Sequence, residues 1–92
     1  MPEVSIISPH YNNPSGLDRL LYTIPDDPLF EVLVIDDRSN RGLNLYTAIK
    51  QRYKNSNIVF LTNDSSPKGA GSCRNIGLKH ARGKWVLFAD SD

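Results

Sequence analysis

Four short apolar runs, spaced roughly 27 residues apart, constrain what this chain can fold into more than any other feature, because that spacing is the size of one βαβ unit. They are Val4-Ser5-Ile6-Ile7, Val32-Leu33-Val34-Ile35, Ile58-Val59-Phe60-Leu61 and Trp85-Val86-Leu87-Phe88. Each is rich in β-branched or aromatic residues, and only Ser5 interrupts them. Strands of a parallel sheet have this character because both of their faces are buried. Three helical patterns alternate with them. Leu17, Leu20, Leu21 and Ile24 fall at i, i+3, i+4 and i+7, with Ser15 and Asp18 as a start signal and Pro25 as a stop. Tyr46, Ile49 and Tyr53 share a stripe over residues 43–53. Cys73, Ile76 and Ala81 mark a third helix from about Ser72 to Ala81, with Gly83 beyond it as a stop.

The order β-α-β-α-β-α-β predicts an α/β fold: an open parallel sheet of four strands with helices on both faces. Right-handed crossovers carry strands one, two and three in one direction, and strand four returns to the far side of strand one. The expected order is therefore 3-2-1-4, all parallel. Such sheets bind ligands at the carboxyl ends of the strands, where the winding reverses.

Composition narrows the function. The 92 residues make one domain at most. Lys and Arg total 11 against 10 Asp and Glu, a near-balance that argues against a nucleic-acid or membrane-surface protein. A single Cys excludes a disulfide framework and a multi-Cys zinc site. The start lacks the basic segment of a signal peptide, and no apolar stretch approaches the roughly 20 residues that span a bilayer. The expected location is cytoplasmic.

Acidic residues collect at the rim where a ligand would bind. Asp36 and Asp37 follow strand two, Asp64 lies beyond strand three, and Asp90 and Asp92 follow strand four. Clustered carboxylates repel one another unless a cation or a hydrogen-bonding ligand offsets the cost. Polar loops and turn-forming Asp explain any single member more easily than the set. Asp90-Ser91-Asp92 is a D-x-D directly after a buried strand, and two carboxylates so spaced can reach Mg²⁺ or Mn²⁺, whose shell substrate phosphates and water complete. One member of the Asp36-Asp37 pair is expected to be structural and the other to bond a base or ribose. Strand one ends in Pro9-His10-Tyr11-Asn12-Asn13, where Tyr11 can stack on a base. Arg74, in the first turn of the expected third helix, opposes the helix dipole, so helix stability does not explain it, and it can contact a base or a phosphate. Gly69-Ala70-Gly71 is not a dinucleotide fingerprint, since Arg74 stands where the third Gly would be. Cys73 reads as a small core residue, Lys68 as a solvated loop lysine, and His10 and His80 receive no role.

These segments together resemble the amino-terminal half of a family 2 glycosyltransferase, with its nucleotide-sugar-binding GT-A fold. VSIISPHYNN is similar to that family's opening strand and loop, usually hydrophobic-Pro-x-Tyr-Asn. EVLVIDDRS is similar to its second strand and Asp-Asp-Gly-Ser turn, with Arg38 in place of the usual Gly. GAGSCRNIGLKHARGKWVLFADSD is similar to its Ala-Arg-Asn-x-Gly helix, following strand and D-x-D, and is the most specific block.

The resemblance implies that residues 1–92 form the nucleotide-sugar-binding half of a longer domain. Pro9, Tyr11, Asn12 and Asp37 would hold the nucleobase and Arg74 the base or diphosphate. Asp90 would face the ribose, and Asp92, with Asp90, would hold a divalent cation, Mn²⁺ or Mg²⁺. The implied reaction is inverting transfer of a sugar, from a UDP-sugar or similar donor, to a saccharide or lipid-linked acceptor. The general base is expected beyond Asp92, so the 92 residues alone are expected to be inactive. The full-length protein would be cytoplasmic or peripheral at the inner membrane face. No nucleic-acid partner is expected. Strand four would be an exposed edge, through which a homo-oligomer is expected to form. The alternatives are a nucleotidyltransferase-like protein, which would carry a longer Gly-rich loop with Arg and Lys after strand one, and a non-catalytic α/β nucleotide-binding module, which would need no D-x-D.

Overall fold

The structure, a computed structural model, describes residues 1–54, 56–64 and 67–90. Seven elements follow in the expected order: β1 (Val4–His10), α1 (Pro14–Thr23), β2 (Phe30–Asp36), α2 (Leu43–Arg52), β3 (Ile58–Thr62), α3 (Ala70–His80) and β4 (Trp85–Phe88). The four strands form one sheet in the order β3-β2-β1-β4, parallel throughout. Connections β1→β2 and β2→β3 step one way across the sheet, whereas β3→β4 steps back past β1. Right-handed crossovers in opposite directions must lie on opposite faces. The core divides accordingly. Ile6, Val32 and Val34 pack with Leu17 and Leu21 of α1 and with Tyr46 and Ile49 of α2. Ile7, Leu33 and Ile35 pack on the other face with Cys73 of α3.

Two helix starts differ from the sequence expectation, and both for local reasons. Asn13, not Ser15, caps α1: its Oδ1 accepts the Gly16 N–H at 3.2 Å, and Pro14 occupies the first turn, where a missing N–H costs nothing. Asp18 then lies inside the helix, and its carboxylate pairs instead with Arg52 of α2 at 2.7 Å. The third helix begins at Ala70, two residues earlier than expected, after Gly69 at φ 134°, a conformation in which only Gly is unstrained. It ends at His80, with the Ala81 N–H donating to Gly77 O.

A buried polar knot anchors the amino-terminal end of the sheet. Ser5 and Glu31 are register partners on β1 and β2. The Ser5 hydroxyl donates to Glu31 Oε2 at 2.5 Å, and the same oxygen accepts the Arg82 N–H at 2.6 Å. Arg82 Nε reaches Glu31 Oε1 at 3.2 Å, and the Gly83 N–H donates to Ser5 Oγ. The short turn between α3 and β4 is thereby tied to the two central strands. Burial alone would raise the Glu31 pKa, but the bonds from Ser5 and Arg82 outweigh it and hold the carboxyl below its ordinary value. Gly83 has no space for a side chain, since a Cβ there would lie 2.6 Å from the Ser5 backbone nitrogen.

Candidate functional site

The pleat of β2 sends the two adjacent carboxylates at its end to opposite faces of the sheet, and each organises a different loop. Asp36 faces α2. Its Oδ1 accepts His10 Nδ1–H at 2.8 Å and the Ser39 hydroxyl at 2.6 Å, and its Oδ2 accepts the Ser39 N–H at 3.0 Å. Burial raises its pKa, and the bonds from His10 and Ser39 more than offset that, leaving it below the usual carboxylate value. The His10 ring stacks on Tyr46, with centroids 4.9 Å apart and planes 2° from parallel. Burial, and then the nearby Asp36 charge, push the Tyr46 hydroxyl pKa upward.

Asp37 faces α3. Its Oδ1 accepts Asn63 Nδ2–H at 3.0 Å and its Oδ2 accepts the Gly69 N–H at 2.8 Å. Asn63, fully buried just past β3, also donates to Pro67 O at 3.1 Å. One carboxylate thus fixes both ends of the connection from β3 into α3. Beneath it lies Cys73, whose thiol is pushed up to about 11, first by burial and then by the Asp37 charge. Such a thiol is a packing residue, in agreement with the sequence expectation.

These loops enclose a cavity of about 110 Å³, lined by Pro9, His10, Tyr11, Asp37, Ala70, Cys73 and Asp90. It opens between the ends of β1 and β4, where the strand order reverses, with the start of α3 as its third wall. The Tyr11 ring is half-exposed, and Lys68 Nζ lies 4.1 Å from its centroid. A larger cavity of about 360 Å³ lies at the other end of the sheet, among Leu21, Ile24, Phe30, Tyr53 and Ile58. Its floor is apolar, and Arg52 at its rim is already paired with Asp18. The smaller cavity is the candidate site, because polar and titratable side chains converge on it.

Of the residues singled out from the sequence, Pro9, Tyr11, Asp37 and Asp90 come together around this cavity. Arg74 is the fifth residue of α3 rather than part of its first turn. Its guanidinium stands 3.5 Å from Asp90 Oδ1 and 5.7 Å from the centroid of the Phe88 ring. Asn12 turns elsewhere. At φ 54°, it uses Oδ1 to accept the N–H groups of Asn40 and Arg41 and Nδ2 to reach Asn40 Oδ1. Its side chain therefore pins the β2–α2 loop. Arg38, in the position usual for Gly, has φ 59°, the left-handed conformation that explains the Gly preference. Asp92 lies outside the described residues. His10, Ser39 and Asn63 are the site residues that sequence reasoning did not single out.

Among the described residues, no three His, Cys, Asp or Glu side chains are grouped to hold a metal ion. Asp90 presents an exposed carboxylate at the cavity mouth. That fits a hard cation of the Mg²⁺ or Mn²⁺ type, which takes one or two carboxylates and completes its shell with phosphate oxygens and water.

The sequence profile described as "Glycosyl transferase family 2" matches residues 5–92. The chain is 34% identical to the putative teichuronic acid biosynthesis glycosyltransferase TuaG of Bacillus subtilis (strain 168), an alignment covering 99% of this chain and 36% of that protein. It is also 34% identical to the poly(ribitol-phosphate) beta-N-acetylglucosaminyltransferase TarS of Staphylococcus aureus (strain Mu50), covering 100% of this chain and 16% of that one. Among solved structures, S. aureus TarS 1-349 in complex with UDP-GlcNAc superposes with a TM-score of 0.81 at 34% identity, over 98% of this chain and 26% of that chain. The mannosyltransferase PcManGT from Pyrobaculum calidifontis, in complex with GDP-Man and Mn²⁺, superposes with a TM-score of 0.80 at 25% identity, over 99% and 28%. The chain spans 36% or less of the length of each of these relatives.

Proposed function

The chain belongs to glycosyl transferase family 2, its four-stranded sheet being the amino-terminal, Rossmann-like part of a GT-A fold, and on that premise we propose that it forms the donor-binding half of a glycosyltransferase. The observation that carries this reading is the convergence of Pro9, Tyr11, Asp37 and Asp90 on one cavity at the strand-order switch. Relatives of the same fold have been solved with UDP-GlcNAc and with GDP-Man and Mn²⁺, which supports a nucleotide-sugar as the ligand.

In this reading Tyr11 offers its ring to the nucleobase. Asp37 accepts a hydrogen bond from a base N–H: its two oxygens offer about four acceptor positions, of which Asn63, Gly69 and the Cys73 thiol use three at most. Those bonds from Asn63 and Gly69 also hold the carboxylate still, so its orientation is set before the ligand arrives. Arg74 approaches the diphosphate, whose charge it complements. Asp90 faces the ribose and, with Asp92, holds a divalent cation. A cation held there would supply positive charge toward the departing diphosphate. The reaction is displacement at the anomeric carbon by an acceptor hydroxyl of a saccharide or lipid-linked sugar, with inversion. The general base that removes the hydroxyl proton is assigned to the remainder of a longer protein. Among the described residues no helix is long and apolar enough to cross a membrane, and we place the working protein in the cytoplasm or at the inner membrane face.

The test is a UDP titration of the ¹⁵N-labelled chain with Mg²⁺. Amide shifts are expected to move at Tyr11, Asp37, Ala70 and Asp90 and to stay unchanged at Leu21 and Ile58 in the larger cavity. Asp92→Ala is expected to remove the metal dependence. Shifts confined to the larger cavity, or binding indifferent to metal and to Asp92, would contradict the assignment.

A further inference from the structure

We infer that His10 is a positioning residue that couples the two loops of the proposed nucleotide site into one rigid unit, an inference that rests on the nucleotide reading only for what the site binds. The hydrogen-bond partners assign the tautomer. The Asn13 N–H points at His10 Nε2 at 3.2 Å, so Nε2 supplies the lone pair. The ring proton is then on Nδ1, which donates to Asp36 Oδ1. His10 is 2% exposed, and its plane is fixed by stacking on Tyr46, which itself packs edge-on against Phe60. The ring can neither turn nor be replaced by water without leaving buried groups unpaired.

From Asp36 the connections continue back to the first loop. The Ser39 hydroxyl spends its one proton on Asp36 Oδ1 and accepts the Asn12 N–H at 2.9 Å. The Asn12 side chain returns to the N–H groups of Asn40 and Arg41. The result is a closed circuit: Asn13 to His10, His10 to Asp36, Asp36 to Ser39, Ser39 to Asn12. Tyr11 sits between two members of this circuit, and Asp37 directly follows a third. The backbone that carries the aromatic ring and the carboxylate is therefore tied on the opposite side of the sheet, in addition to the bonds that Asn63 and Gly69 make to the Asp37 carboxylate itself. The imidazole is suited to this place because it carries a donor and an acceptor on separate edges of one rigid ring. Gln can supply the acceptor toward Asn13 and Asn the donor toward Asp36, but neither reaches both.

The experiment uses the ¹⁵N-labelled chain and the variants His10→Phe, His10→Gln and Ser39→Ala, with UDP as the probe. Imidazole nitrogen shifts of the wild type are expected to show Nδ1 protonated and Nε2 bare; the opposite tautomer overturns the inference. In His10→Phe, amide exchange is expected to accelerate about tenfold or more at Asn13 and Ser39 together, because an unmade buried bond is costly, while Leu33 and Val34 stay protected. Loosening at Asn13 alone overturns it. UDP affinity is expected to fall about tenfold in the loosened variant, and unchanged affinity there would show that the circuit does not position the site. His10→Gln breaks the bond to Asp36 only. Ser39→Ala removes the hydroxyl's bonds to Asp36 and Asn12 while keeping the Ser39 N–H on Asp36 Oδ2. Both are expected to loosen the same two loops less than His10→Phe, which keeps the test open if His10→Phe does not fold. A wild-type chain with the expected tautomer and coupled exchange that ignores UDP would support the circuit and reject the nucleotide reading.

Discussion

Asn63 donates from a fully buried position to both Asp37 and Pro67, so truncating it leaves a buried carboxylate short of one bond and a carbonyl unmet. Asn63→Ala is expected to cost about 1–3 kcal/mol in urea unfolding, the range for a buried group left unsatisfied. A loss within experimental error would show that Asp37 does not depend on it. Cys73 offers a second residue-scale check. With its thiol pushed up to about 11 by burial and by Asp37, it is expected to resist iodoacetamide at neutral pH in the folded chain and to react readily in urea. Equal rates in both conditions would contradict the burial. The strand pattern alone located the loops that hold Tyr11, Asp90 and the Asp36-Asp37 pair, and the choice of Asp37 within the pair came from the family resemblance. It did not point to His10 or Asn63. Each acts through a partner 26 residues away, and that adjacency exists only once β1, β2 and β3 lie side by side.

At the scale of elements, strands were the most legible part, since short β-branched and aromatic runs at βαβ spacing have few other interpretations. Only β1 and β2 are buried on both faces, whereas the edge strands β3 and β4 are half-buried to exposed. The strand order was legible too, because crossover handedness leaves few arrangements. Helix starts were less so. Ser15-x-x-Asp18 matched a start signal, but Asn13-Pro14 just before it supplied a better cap and a better first turn. The apolar face of α3 and its C-cap, Cys73, Ile76 and Ala81, was legible and packs on the sheet, but the closeness of the approach at Gly77 was not. A Cβ on Gly77 would lie 2.5 Å from Ile7 Cγ2 and 3.1 Å from Ile35 Cδ1, so the helix rests on the sheet through its own backbone. Gly77→Ala ordinarily favours a helix by about 1 kcal/mol. Here overpacking is expected to win, with a net destabilisation of about 1–3 kcal/mol by urea unfolding. A stabilised variant would mean that α3 stands further from the sheet than the structure places it.

Across the whole molecule, two depressed carboxyls sit at opposite ends of β2, Glu31 in the Arg82 knot and Asp36 in the His10 circuit. Their folded pKa values lie below the ordinary 4.5 and 3.8, so the unfolded chain binds more protons in acid. The stability they confer is complete above those ordinary values and is lost as pH falls through the folded ones. The urea midpoint is therefore expected to decline on acidification below about pH 4.5, and less steeply in Glu31→Gln. Strand β4 sets a second global property. Trp85 and Ala89 donate toward β1, which leaves the N–H groups of Val86 and Phe88 pointing outward from an edge where Trp85 is 64% and Leu87 56% exposed. Unpaired edges with apolar side chains favour association. Sedimentation at micromolar concentration is expected to show a dimer or larger species, and a clean monomer with buried-type Trp85 fluorescence would refute it. The central claim, a nucleoside diphosphate seated at the β1/β4 switch, is tested most directly by calorimetry of the 92-residue chain with UDP and Mn²⁺. Binding heat is expected that weakens on chelation and disappears in an Asp37→Ala variant that still unfolds cooperatively. The absence of heat with the wild type, or equal affinity in that variant, would contradict it.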